Sequence, residues 1–270
     1  MSVDKKKLKL ALLTIHEDKT GFFTSGQFIQ LFSDINIQTK LHTHKETERL
    51  RRLLGYTQYI LQDVWNLESI ALSVDWQKQL RSQGKLNEML WMQFTQTNID
   101  FFHIEFRSIF DYLAKILRLI SKKPDQIRDK SFEKMRNWVI KEGNSTKLGE
   151  DLSSFVLSCN WFVDMKRIRE SIVHHGGYTL VFPEKGRVLF QVYKGINKMV
   201  SLKEIMFNEN VADFELYAGL YFGYLLAYLE EFAKLVRKHL ELEVLGGNPK
   251  SYHSGLRVMH SWIQQVLAIT

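Results

Sequence analysis

Residues 85–123 contain neither proline nor glycine, and the whole chain holds only three prolines, Pro124, Pro183 and Pro249. Proline removes a backbone donor and clashes with the preceding turn, and glycine adds backbone freedom that a helix must freeze out. Where both are absent, a helix runs without interruption, so this chain is confined to long helices with few breaks. Ile60, Val64, Leu67 and Ala71 recur at helical spacing. They predict a helix from near Thr43, with Glu46 as capping-box partner, to about Leu80, with Gly55 tolerated inside it. Ser82-Gln83-Gly84 ends it. The next helix runs from about Leu86 to Ile120. Phe102, Phe106, Ile109, Leu113 and Ile116 form one apolar row on it. Leu90, Phe94, Thr97, Phe101, Ile104, Ser108, Asp111 and Lys115 form a second, mixed row beside the first.

A shorter helix is expected over Ser131–Glu142, stopping at Gly143-Asn144. Another opens at Thr146 and runs into the stretch Arg169-Glu170-Ser171-Ile172-Val173-His174-His175-Gly176-Gly177. The pattern then changes. Tyr178–Phe182 and Arg187–Tyr193 are β-branched and aromatic, and Pro183–Gly186 between them reads as a turn, so a β-hairpin is expected over about 178–193. Helices are predicted again at Ser201–Met206, Asp213–Leu240 and, after the break at Gly246–Pro249, Ser251–Ala268. Residues 1–20 fit neither period, and a short helix is expected near Thr24–Phe32. The predicted fold class is all-α, a bundle of long antiparallel helices with a small β-hairpin insertion. No linker composition separates the halves. Residues 1–85 are therefore expected to pack as a helical extension on a domain of residues 86–270.

Eighteen Phe, ten Tyr and six Trp are ample for a core. The single Cys159 excludes an intramolecular disulfide and a multi-cysteine metal site, and fits a reducing cytoplasm. No secretory leader is expected, because Lys9 interrupts the apolar run after Lys5-Lys6-Lys7. The longest apolar run, Tyr217–Tyr228, falls short of the roughly 20 residues that span a bilayer. No membrane association is expected, and the compartment expected is the cytoplasm. The net charge of +7 favours a polyanion such as RNA.

The stretch 169–177 gathers the groups that phosphodiester cleavage needs. RNA supplies its own nucleophile, the 2′-OH. A base and an acid must move protons, and positive charge must meet the transition state. Histidine titrates in the right range, and arginine presents a permanent fork of donors to phosphate oxygens. At 100° per residue, Arg169 and His174 lie about 140° apart around one helix, so they do not share a face. Glu170 and His174 are i,i+4 neighbours. Glu170 and the helix C-terminus are both expected to raise the pKa of His174, which suits a general acid. The same residues also fit a plainer reading. Arg169 and Glu170 would be a solvated helix face, with His174 and His175 capping the helix before its glycine stop.

The arrangement Arg169-Glu170-x3-His174 at the end of a late helix resembles the R-x4-6-H motif of the HEPN superfamily, whose domains are helical bundles. His175 matches the looser spacing. The phrase Arg-Glu-Ser-Ile-Val-His-His-Gly-Gly is similar to a form common in uncharacterised bacterial members, except that Glu170 stands where Asn is commoner. Ile99–Leu113 resembles the long first helix of such members, and the likeness covers roughly residues 86–240. The resemblance implies a HEPN-like bundle and a composite site across a homodimer, with two motifs facing each other. It implies metal-independent RNA cleavage leaving a 2′,3′-cyclic phosphate, and no cofactor. Arg169 would hold the scissile phosphate, His174 would act as acid and base, and Glu170 would position His174. Arg107 and Asp111, i,i+4 on the long helix, are secondary candidates for lining such a site or for a structural ion pair, and His175 is the reserve histidine. A toxin or phage-defence setting, with an antitoxin or regulatory protein as partner, goes with that reading. Other HEPN domains are non-catalytic and bind nucleotides or partner proteins. No Gly-rich phosphate loop, G-x-S-x-G or H-E-x-x-H motif is present.

Overall fold

The computed structural model describes residues 3–41, 45–127, 131–141, 143–174, 179–184, 186–192, 205–245 and 247–270. Ten helices and seven short strands occur among them. The helices are α1 (Lys5–Leu12), α2 (Gln27–Leu41), α3 (Lys45–Ser82), α4 (Glu88–Ile120), α5 (Phe132–Val139), α6 (Asn144–Leu148), α7 (Glu150–Ser158), α8 (Phe162–His174), α9 (Phe214–Leu240) and α10 (Leu256–Ile269). The strands are β1 (Ile15–Asp18), β2 (Gly21–Thr24), β3 (Val181–Glu184), β4 (Arg187–Gln191), β5 (Met206–Asn208), β6 (Val211–Asp213) and β7 (Ser251–Tyr252).

The proline-free and glycine-poor stretches are the two longest helices. α3 and α4 run antiparallel along each other. Arg49 donates to the Leu119 carbonyl at one end of the pair, and Thr95 donates to Gln77 near the other. Asn87 caps α4 by accepting from the Leu90 N–H at 2.9 Å. α9 is the centre of the molecule and is buried along most of its length. α1, α2 and α10 pack on it, and α10 also reaches α3. One continuous core draws on residues before and after 85, from Leu8 and Leu31 to Phe232 and Ile263. Gly219 lets α10 close on α9, because a Cβ there would lie 2.6 Å from the Trp262 carbonyl carbon.

The fold is largely helical, as expected, and carries two small antiparallel sheets where a single hairpin was expected. The expected hairpin is present as β3–β4, but Pro183 and Glu184, expected in its turn, lie in β3 and pair with Val188 and Arg187. It belongs to a four-stranded sheet of order β3-β4-β6-β5. Met206, expected to end a helix, lies in β5; residues 201–204 of that expected helix lie outside the described residues, as do Tyr178 and Tyr193 at the ends of the expected hairpin. The second sheet, β1-β2-β7, pairs the N-terminal hairpin with Ser251-Tyr252. Those two residues therefore precede the last helix instead of opening it. Four-residue strands carry little periodic signal, and two alone are marginal in water. The third strand that completes this sheet comes from the far end of the chain.

The helix expected from Thr146 through the motif is three helices. Gly149, at φ +110°, separates α6 from α7, a conformation that side chains disfavour. α7 ends at Ser158, and the chain turns after Cys159 so that Trp161 is buried against Phe110, Tyr221 and Tyr224. Packing of one large side chain thus decides where the motif helix begins.

Candidate functional site

α8 lies along α4 and is anchored by aromatic packing. The Phe162 ring is 4.7 Å from that of Phe110, and Phe132 of α5 lies 5.0 Å from Phe162. Past the end of α8 the chain returns to α4, where Thr179 donates to Asp100 at 2.5 Å. The last turns of α8 therefore run beside the middle of α4. Asp111 accepts from the Phe132 N–H at 3.1 Å, which pins the start of α5 to the same region.

A chain of charges joins the three helices. Arg107 Nε lies 3.4 Å from Asp111 on α4, and its Nη2 lies 3.9 Å from Glu133 on α5. Glu133 also binds Lys166 of α8, and Lys166 lies 3.4 Å from Glu170. The Arg107 guanidinium sits 5.2 Å over the Phe162 ring, a cation–π placement. Its Nη1 is buried with no acceptor among the described residues. The Arg107 charge is thus met by two carboxylates of the chain, with one buried N–H left over. Asp164, buried in the first turn of α8, has its carboxyl pushed up to about 6 by burial, with Arg167 pulling the other way.

The structure places the motif residues as follows. Arg169 is partly buried on α8. Glu170 lies one residue on and faces Lys166. His174 closes α8, but its side chain lies outside the described residues, as does His175 entirely. Arg107 touches the motif helix directly at the Phe162 ring, and its ionic link to that helix, like that of Asp111, runs through Glu133 and Lys166. Those two residues were missed in the sequence. Lys166 and Glu170 were detectable as an i,i+4 pair. Glu133 comes from another helix and carried no local signal. Among the described residues, His103 of α4 has a structural role. His103 is fully buried, with its Nδ1–H donating to the Ile99 carbonyl at 2.7 Å and its Nε2 3.0 Å from the Tyr217 hydroxyl. Burial lowers its pKa to about 4. His253 precedes α10, so it does not share a helix face with His260.

Beside this cluster, the outer face of α4 exposes large apolar side chains that no described residue covers. Leu90, Phe94, Phe101 and Ile104 are 41%, 48%, 50% and 39% exposed. They are the apolar members of the mixed row seen in the sequence. Thr97 is exposed among them, so the face is mixed, with four large apolar side chains on it. No group of three or more His, Cys, Asp or Glu side chains placed to hold a metal occurs among the described residues. No described helix is long and apolar enough to cross a membrane. No protein-family model, curated protein or solved structure matches this chain.

Proposed function

We propose that this protein is a metal-independent endoribonuclease of the HEPN class, acting as a homodimer in toxin–antitoxin or phage-defence biology. One observation carries the reading. The helix bearing Arg169, Glu170 and His174 lies along α4, next to four exposed apolar side chains of the same long helix. A second copy seated on that face would bring two motif helices toward each other. That arrangement answers the geometric problem that Arg169 and His174 do not share a helix face.

In this reading Arg169 holds the scissile phosphate of RNA, and Arg107 with Asp111 forms the polar lining beside it. His174 takes the proton from the 2′-OH or delivers one to the leaving 5′-oxygen. Glu170, shared with Lys166, sets the charge around the imidazole. The test is incubation of the wild type, Arg169→Ala and His174→Ala with total RNA in EDTA. Cleavage by the wild type that falls about 10²-fold or more in both variants is expected, the range for loss of a proton-transfer group. Cleavage that survives both changes overturns the assignment.

A second reading, a non-catalytic HEPN module that binds a nucleotide or a partner protein, has one observation in its favour. Glu133 faces both Arg107 and Lys166, so part of the positive charge is compensated within the chain. Absence of cleavage by the wild type, with RNA or a nucleotide still bound, selects this reading.

A further inference from the structure

An open cleft of about 520 Å³ lies between the end of α3, the opening turn of α4 and the β3–β4 turn. Asp75, Lys78, Arg81, Trp91 and Arg187 line it, and no residue of α8 does. The Arg81 guanidinium sits 4.3 Å over the Trp91 ring. That contact uses its face and leaves its edge, with the forked N–H groups, for an acceptor. Trp91 is fully buried, yet its indole N–H has no acceptor among the described residues. Buried donors are nearly always paired, so an unpaired one on a cleft wall needs an explanation.

The other cations of the cleft differ in how far they are committed. Lys78 is bound to Glu215. Arg187 is 59% exposed at its side chain, and its nearest carboxylate, Asp213, stands 3.8 Å away. Asp213 is itself occupied by capping α9, accepting from the Glu215 and Leu216 N–H groups. Asp75 accepts from Gln79 at 2.8 Å. Two arginines from separate elements therefore present donors to one cleft, over a buried tryptophan.

We propose that this cleft is an anion site that binds a phosphoryl group, held by the forks of Arg81 and Arg187. A phosphoryl group offers oxygens enough for both guanidiniums, and arginine is the side chain best shaped to take it. The group can come from a free phosphorylated small molecule or from the backbone of an RNA strand. The proposal is independent of the nuclease reading.

Calorimetric titration of the full chain at low salt, with inorganic phosphate and with single-stranded dodecauridylate, tests it. Saturable binding of at least one probe is expected. Arg81→Gln and Arg187→Gln should each weaken it about tenfold, and the double variant should lose it. Dodecauridylate binding tighter than phosphate, with the same sensitivity to both substitutions, assigns the group to RNA. Phosphate binding without that gain assigns it to a small molecule. No saturable binding of either probe overturns the proposal, as does a double variant that binds both like the wild type. Arg187→Gln, on an exposed side chain, keeps the test decisive if Arg81→Gln disturbs the packing of Trp91.

Discussion

α9 and α4 are both long and aromatic-rich, but they meet the rest of the chain differently. α9 is enclosed on nearly every side, with Tyr217, Tyr221, Phe222, Tyr228 and Phe232 all buried. α4 buries one side, through Phe102, Phe106, Phe110 and Leu113, and leaves Phe94 and Phe101 half exposed on the other. Apolar content alone therefore does not say whether a helix is core. The number of neighbours that the fold delivers to it does. α9 holds the molecule together, whereas α4 is half core and half available surface.

The largest effect that can break this contrast is expected where α9 meets α2. Asp34 is fully buried, binds Arg237 and accepts from Gln30 and the Leu245 N–H. Asp34→Ala strands a buried guanidinium and should cost about 3–5 kcal/mol in chemical denaturation. A loss under about 1 kcal/mol would mean that this end of α9 is not the firm part of the fold.

The next effect lies at the seam between the two helices, where His103 of α4 meets Tyr217 of α9. Its pKa is lowered to about 4 in the folded chain and returns to the ordinary 6.5 on unfolding. Between those values the unfolded state binds more protons, so stability rises with pH from 4 to 6.5 and is complete above that. This group alone should account for about 3 kcal/mol between the two ends of the window. His103→Asn should remove that part of the slope in denaturation curves taken across it. An unchanged slope would show that the seam admits water.

The smallest effect on stability, and the sharpest for function, belongs to the outer face of α4. Phe101→Glu should change monomer stability by no more than about 0.5 kcal/mol, as at an ordinary surface position. Under the proposed dimeric nuclease, it should shift sedimentation from dimer to monomer and abolish RNA cleavage with it. A cost above about 2 kcal/mol, with no change in association, would make this face core and remove the route to a composite site.

Much of the helical framework was legible because its signals are local. The ends of α3, α4 and α9 follow from Ser82-Gln83-Gly84, Asn87 and Asp213, which act within a turn of where they stand. The β3–β4 hairpin was legible for the same reason. What was not legible depends on distant partners. β1 and β2 needed β7, which comes from the opposite end of the chain. The start of α8 needed a pocket for Trp161 built by α4 and α9. The site divides along the same line. Arg169, Glu170 and His174 stand out by residue type and spacing, and Arg107 and Asp111 by their i,i+4 relation. Glu133, which ties Arg107 to Lys166, had no local mark because it arrives on a separate helix.

The sequence by itself determined where long helices run and which reactive side chains share a turn, since proline, glycine and side-chain periodicity act over a few residues. Only the tertiary structure decided that α9 would be enclosed while α4 kept a bare face. It alone decided that Glu133 would join the motif helix, and that Arg81 and Arg187 would meet across a cleft. Those outcomes depend on which surfaces the packed elements leave over, and no local pattern encodes them.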